Sequence, residues 1–369
     1  FRVMTNIKNF SGSKSIIDKF CGWFIGLPLF FELSGSGIKL PDSHYEMNGI
    51  PLHTSMLALL ILALGHKFNK VQLIFTLLFI TYFITCFFQD SSRSLLAIQS
   101  IYFFAFYFIL KSLSSDRLET ISLSAIKALM FFVTIHFFSL LFFSTGSVVS
   151  LFSNTADFWG IYVIYQSHLT YPLVLIMGIW MTEYQKVSLG GYQRTIFILM
   201  ASFIIILLMR RASIVILLVF FICYRPKISL LFLPIFIGLL AFYSGALLDL
   251  SRFTNFSRGK AWNESLSIIS DINSFFLGNG INNYSHNYFM HTLSTHGIIF
   301  SSTIFLVLVF VVFTFFKKVR YTLPPTTLLL AFIFIDWNVN ANLYQPYYAS
   351  MLALTILILS AKTKRDFRY

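Results

Sequence analysis

Apolar residues along this chain come in long runs broken by short polar ones. A membrane-spanning helix needs about 20 mostly apolar residues. The pattern predicts twelve spans, near residues 18–33, 51–65, 71–88, 95–110, 121–144, 161–181, 195–209, 213–224, 228–248, 297–316, 327–337 and 346–361. Most connections between them are short. One is not: residues 249–296 form a loop far longer than any other. Within it, residues 260–272 carry helical spacing, with Trp262, Leu266 and Ile269 on one face. A second helical pattern runs from His286 to His296, and Gly297 is placed to reset the backbone. The expected fold class is therefore an all-α polytopic integral membrane protein. It has about twelve transmembrane helices in a single domain over 1–369, and one large loop carrying short interfacial helices.

Composition sharpens this picture. Of 369 residues, 57% are hydrophobic and 11% charged. A soluble domain is about one quarter charged, so this chain has too few charges to cover a water-facing surface. The 45 Phe and 18 Tyr exclude a disordered chain. Mean hydropathy is +0.77.

The net charge of +13 would suggest nucleic acid in a soluble protein. Here topology explains it. With the N-terminus cytoplasmic, 19 of the 27 Lys and Arg fall on the cytoplasmic side and seven on the other, with Lys127 inside the fifth span. That bias predicts both termini cytoplasmic and the 249–296 loop outside. No nucleic-acid partner is needed. The first apolar stretch carries Glu32 and lacks a cleavage site, so no signal peptide is read there. Cys21, Cys86 and Cys223 all lie in apolar runs and suggest neither a disulfide frame nor a zinc site.

The outside cations are the candidate chemistry. Arg210 and Arg211 join two short apolar spans. A charge within the membrane costs about 2.5–3.5 kcal/mol at a helix centre, and the sorting rule does not account for this pair. They suit anion binding; the alternative is two side chains snorkelling to the headgroups. Arg252, Arg258 and Lys260 lie in the long loop. Arg258 and Trp262 share a helix face at i, i+4, an arrangement suited to a phosphate beside a stacked sugar. The alternative there is contact with lipid headgroups.

His286, His291 and His296 follow within SHNYFMHTLSTHG. Steps of five place them about 500° and 1000° around a helix, so they share no face, and zinc binding is not expected. His286 and Asn287, at a loop-to-helix junction, suit a general base or a hydrogen-bonding site. The alternative is a capping segment. The chain has no P-loop and no Asp-x-Asp pair for a metal beside a nucleotide sugar.

Together these features resemble the O-antigen polymerase and O-antigen ligase superfamily of bacterial envelopes. The resemblance rests on MRRAS with Arg210 and Arg211, on SRGKAW with Arg258 and Trp262, on FLGNGINN at 276–283, and on His286-Asn287 followed after nine residues by Gly297. It implies a GT-C-like transferase in the inner membrane of a Gram-negative bacterium, working without metal or other cofactor. Its partners would be an oligosaccharide on undecaprenyl diphosphate, membrane lipids and a chain-length regulator protein. It further implies Arg211 and Arg258 as a diphosphate clamp and His286 as base or acceptor-orienting residue. Arg210, Lys260, Arg252, Trp262 and Asn287 would serve in substrate binding. Phe300, where the ligase pattern often continues with Gly, Thr or Tyr, tilts the expectation to polymerase. The alternatives are a ligase acting on the lipid A core and, more distantly, a lipid-linked oligosaccharide flippase. A flippase would show two related halves and no single large loop.

Overall fold

The computed structural model describes residues 16–34, 37–39, 50–64, 73, 76–77, 80, 91–143, 167–184, 189–208, 211–224, 234, 263, 266–267, 272–278, 288–319, 323–333 and 346–362. They fall into two compact units, Phe1–Ser213 with Asn342–Tyr369, and Ile214–Ala341.

The first unit begins with helix α1 over 16–26. It stops where Leu27 precedes Pro28, because a residue before proline is driven out of the helical region. A three-stranded antiparallel sheet follows: β1 (Phe30–Ser34), β2 (Gly37–Lys39) and β3 (Ile50–His53), in the order β2-β1-β3. Glu32 pairs with Lys39 on one side, and Phe30 with His53 on the other. The expected helical class holds in its coarse form, since the other described elements are helices, and this small sheet is the departure from it. The apolar run taken as the end of a first span leaves the helix at Pro28 and turns into strand.

Helices α2 (Thr54–Leu64), α3 (Ser91–Lys111), α4 (Ser115–Phe143), α5 (Ser167–Tyr184), α6 (Gly191–Leu207) and α11 (Pro346–Lys362) complete the unit. At the centre lies α11, which packs on α2, α3, α4 and α5. It is buried continuously from Tyr347 to Leu359. A helix apolar on every side has no solvent face and belongs in an interior. Helix α5 is likewise buried from Tyr171 to Glu183 and apolar as far as Met181. The buried Glu183 carboxylate stands 3.9 Å from Arg194 in the first turn of α6.

Parallel contact between α1 and α4 is set by three residues one turn apart. Asp18, 2% exposed, is held by Arg117, whose Nε donates to Oδ2 at 2.9 Å and Nη2 to Oδ1 at 2.7 Å. A turn later, any Cβ on Gly22 would collide with the Ile121 carbonyl oxygen, and one on Gly26 with that of Ala125. This small-xxx-small spacing lets the two backbones touch. Trp23 then packs on Phe131 with ring centroids 6.0 Å apart.

The second unit contains α7 from Ile214 onward (the helix is Arg211–Tyr224), α8 (Ile272–Leu277), α9 (Tyr288–Val319) and α10 (Leu323–Ala331). Both α8 and α10 pack on α9.

Two helices are long and apolar enough to cross a membrane, Ser115–Phe142 and Tyr288–Val319. The expected count of twelve is thus not met among the described residues. The difference has a physical cause. Residues 51–65, read as one span, divide into strand and an 11-residue helix, about 16 Å long against a hydrocarbon core of about 30 Å. The run 346–361 is a 17-residue helix enclosed by its neighbours. Hydropathy alone cannot separate such core helices from spans. The expected spans 71–88 and 228–248 lie almost wholly outside the described residues.

Arg117→Ala would leave the Asp18 carboxylate buried without its charge-assisted hydrogen bonds, worth about 1.5–3 kcal/mol. The variant is expected to unfold several degrees lower in detergent, and Asp18→Asn combined with Arg117→Ala to recover part of the loss. Equal midpoints for the wild type and Arg117→Ala would show that the pair does not hold α1 on α4.

Candidate functional site

Of the residues assigned a role in catalysis or substrate binding, Arg211 alone falls among those described, and its backbone opens α7. Arg210, Arg252, Arg258, Lys260, Trp262, His286 and Asn287 lie outside the described residues. What the structure does give is the frame on either side of His286.

In the long loop, residues 263, 266 and 267 are helical, within the stretch expected to be helix, and Leu266 is exposed. Then α8 ends at Gly278, whose N–H donates to the Ser274 carbonyl at 2.8 Å with φ at +74°. A left-handed residue at this place closes a helix and is normally glycine. The chain next enters the described residues at Tyr288, as α9. Gly297 interrupts α9 with φ 74° and ψ 177°, a conformation outside any helix. The Ser301 hydroxyl donates to its carbonyl at 2.7 Å and steadies the helix just beyond the break.

These two glycines meet. A Cβ on Gly278 would strike the Thr295 carbonyl and come within 2.5 Å of the His296 and Gly297 amide nitrogens. One on Gly297 would strike the Phe276 carbonyl and come within 2.5 Å of the Gly278 nitrogen. Two motif pieces separated in sequence, FLGNG and the glycine that closes His-Asn-x9-Gly, therefore form one backbone clasp. The stretch holding His286 leaves from this clasp and returns to it through the helix 288–296.

That nine-residue helix has a polar interior. His291, Thr292, Ser294, Thr295 and His296 are all buried. Thr292 and Ser294 return their hydroxyls to the Tyr288 and His291 carbonyls at 2.7 and 3.1 Å. Phe300, the residue that departs from the ligase pattern, packs on the His296 ring at 4.8 Å between centroids.

A second polar cluster, absent from the sequence reading, occupies the first unit. His53 Nε2 lies 2.9 Å from the Leu27 carbonyl oxygen, which can only accept, so this nitrogen carries the hydrogen. Nδ1 then accepts from the Ser55 hydroxyl at 2.7 Å and from the Ser55 N–H at 3.0 Å. Tyr102 is left to donate to Ser55 Oγ at 2.9 Å. Serine beside a histidine nitrogen has the spacing of an activated nucleophile. Ser55 is 0% exposed and His53 1%, however, so no substrate reaches them. Their partners reveal the role. Thr54 donates to the Phe24 carbonyl at 2.7 Å and Tyr347 to that of Gly26 at 3.2 Å. Side chains of the adjacent His53 and Thr54 and of the distant Tyr347 thus cap the final carbonyls of α1, which the helix itself leaves unsatisfied. Polar His-Thr-Ser at the edge of an apolar run was the available signal; treating 51–65 as one span absorbed it.

No family model matches the chain, and neither a curated protein nor a solved structure matches it.

The clasp makes a sharp prediction. Gly278→Ala and Gly297→Ala each force a side chain into the left-handed region, at about 1–2 kcal/mol, and into a neighbouring backbone. Both are expected to lower the unfolding midpoint and to increase protease cleavage between 279 and 287. Gly191→Ala, where an added Cβ meets nothing within 4 Å, should behave as wild type. Equal behaviour of all three variants would show that the clasp is not formed.

Proposed function

We propose that the chain is a glycan polymerase of the O-antigen polymerase type, working at the outer face of a Gram-negative inner membrane. The observation that carries this reading is the sequence His286-Asn287-x9-Gly297, whose glycine adopts the conformation only glycine takes readily and joins the FLGNG segment. The arginine that opens α7 supports it as well.

On this reading the donor is a growing glycan on undecaprenyl diphosphate, and the acceptor a sugar hydroxyl of another lipid-linked repeat unit. The acceptor oxygen forms a bond to the anomeric carbon as the bond from that carbon to the phosphate oxygen breaks. Attack opposite the diphosphate inverts the centre. His286 takes the hydroxyl proton. The leaving lipid diphosphate gains negative charge, which Arg211 and Arg258 meet with planar, bidentate donors. Arg210, Arg252 and Lys260 add positive charge, while Trp262 and Asn287 face the sugars. Magnesium or manganese has no part in the scheme, and a chain-length regulator would act on the product.

Purified protein given lipid-linked repeat units tests the scheme. His286→Ala should lower polymer formation by about 10²–10⁴. Arg211→Ala and Arg258→Ala should each lower it tenfold or more, from contacts worth about 1.5–3 kcal/mol. Lysine at either site should rescue only in part, since it lacks the planar fork. Activity should survive EDTA. Full activity in all three alanine variants would remove the mechanism, and transfer to lipid A core alone would make the enzyme a ligase.

The membrane side is tested separately. Cysteine placed at Asn255 or Asn282 should react with an impermeant thiol reagent in intact spheroplasts. Labelling only after lysis would put the loop, and with it the reaction, on the cytoplasmic side.

A further inference from the structure

Between α4 and α6 the first unit carries an open cleft of about 350 Å³. Met130, Phe197 and Met200 form much of its apolar wall, and Lys127, Thr134 and Gln193 are its polar members. Lys127 lies eight residues beyond Glu119, the last acid of α4, which places it about 12 Å further along the helix axis. Its side chain is exposed, and it makes no ion pair or hydrogen bond with any described residue. The faces beside the cleft are apolar and uncovered: Phe131, Ile135 and Phe138 on α4, and Ile196, Leu199 and Phe203 on α6. This helix, Ser115–Phe142, is one of the two long and apolar enough to cross a membrane.

We propose that this cleft binds one anionic phospholipid, its headgroup phosphate on Lys127 and Gln193 and an acyl chain against Met130, Phe197 and Met200. The charge pattern selects the occupant. A cation within an apolar stretch needs an anion or a path to water, and no described carboxylate pairs with Lys127. A phosphate ester brings the counter-charge and a hydrocarbon tail in one molecule. The Lys127 stem carries its ammonium towards the headgroup level at the end where α4 and α6 both begin. Gln193, one turn into α6, adds an amide donor for a second phosphate oxygen. Thr134 returns its hydroxyl to the Met130 carbonyl at 2.8 Å, so the far end of the cleft offers mainly methyl and methylene surface. The proposal rests on α4 lying in a membrane and is independent of the polymerase reading.

The test uses the full chain, purified in detergent and delipidated. Phosphatidylglycerol, phosphatidylcholine of the same acyl chains, and inorganic phosphate are added in turn. Native mass spectrometry counts the lipids retained, and the unfolding midpoint is read beside it. The wild type should retain one phosphatidylglycerol at least tenfold more tightly than phosphatidylcholine, with a raised midpoint. Inorganic phosphate should do nothing. Lys127→Met should remove the preference and Lys127→Arg keep it. Thr134→Phe, at an exposed position, should block the cleft without changing charge; it decides the matter if Lys127→Met does not fold. Undiminished phosphatidylglycerol retention in Lys127→Met or Thr134→Phe would overturn the proposal. So would an equal effect from phosphatidylcholine or inorganic phosphate, or a dimer whose contact buries Lys127.

Discussion

A helix that ends inside an apolar interior leaves carbonyl oxygens without partners, and the first unit is organised around that constraint. The last turn of α1 is cut short at Pro28. Thr54, Tyr347 and His53 each supply a donor, to the carbonyls of Phe24, Gly26 and Leu27. These donors come from two places far apart in sequence, the neighbours His53 and Thr54 and, nearly 300 residues on, Tyr347. An unpaired buried group costs about 1–3 kcal/mol, so assembling α1 without them is unfavourable. The cap is therefore a reason for β3, the start of α2 and the start of α11 to converge on one point. The His53 and Tyr347 rings, their centroids 4.6 Å apart and their planes inclined by 32°, fill the space between two of the donors.

Glycine plays a matching part in both units, in different ways. Gly22 and Gly26 keep ordinary helical geometry and serve only by lacking a Cβ, which lets α1 lie against the α4 backbone. Gly278 and Gly297 supply the positive φ as well. The first pair joins two helices side by side. The second brings two turns of backbone, at Gly278 and at Gly297, into direct contact.

Much of this was legible in the sequence, and what was not has identifiable causes. The mostly helical, apolar character follows from composition. The break at Gly297 and the helix before it were readable from the polar run SHNYFMHTLSTHG. The sheet was hidden because Phe30 to Ser34 continues an apolar run that starts as helix, and hydropathy carries no mark of the change at Pro28. Counting spans failed for a related reason: α5 and α11 are as apolar as a membrane helix but lie enclosed by protein. The polar His-Thr-Ser at 53–55 marks a cluster locally, but its capping role depends on carbonyls of α1 that lie 26 and 30 residues earlier. Gly22 and Gly26 stand as a G-x-x-x-G in an apolar stretch, a signal that the sequence reading left unused. The chemistry proposed for Arg211, Arg258 and His286 rests on residue type and order alone.

The position of α11 has a consequence for biosynthesis. This central helix of the first unit is encoded after the whole of Ile214–Ala341, the second unit. At about 5–20 residues per second, the ribosome spends on the order of ten seconds on that intervening segment. Throughout that interval α2, α3, α4 and α5 exist without the helix on which they pack, and the Gly26 carbonyl waits for the Tyr347 hydroxyl. The nascent first half must therefore persist as an open, apolar-faced assembly until its closing element arrives, which makes it a natural client for whatever shelters membrane helices during insertion.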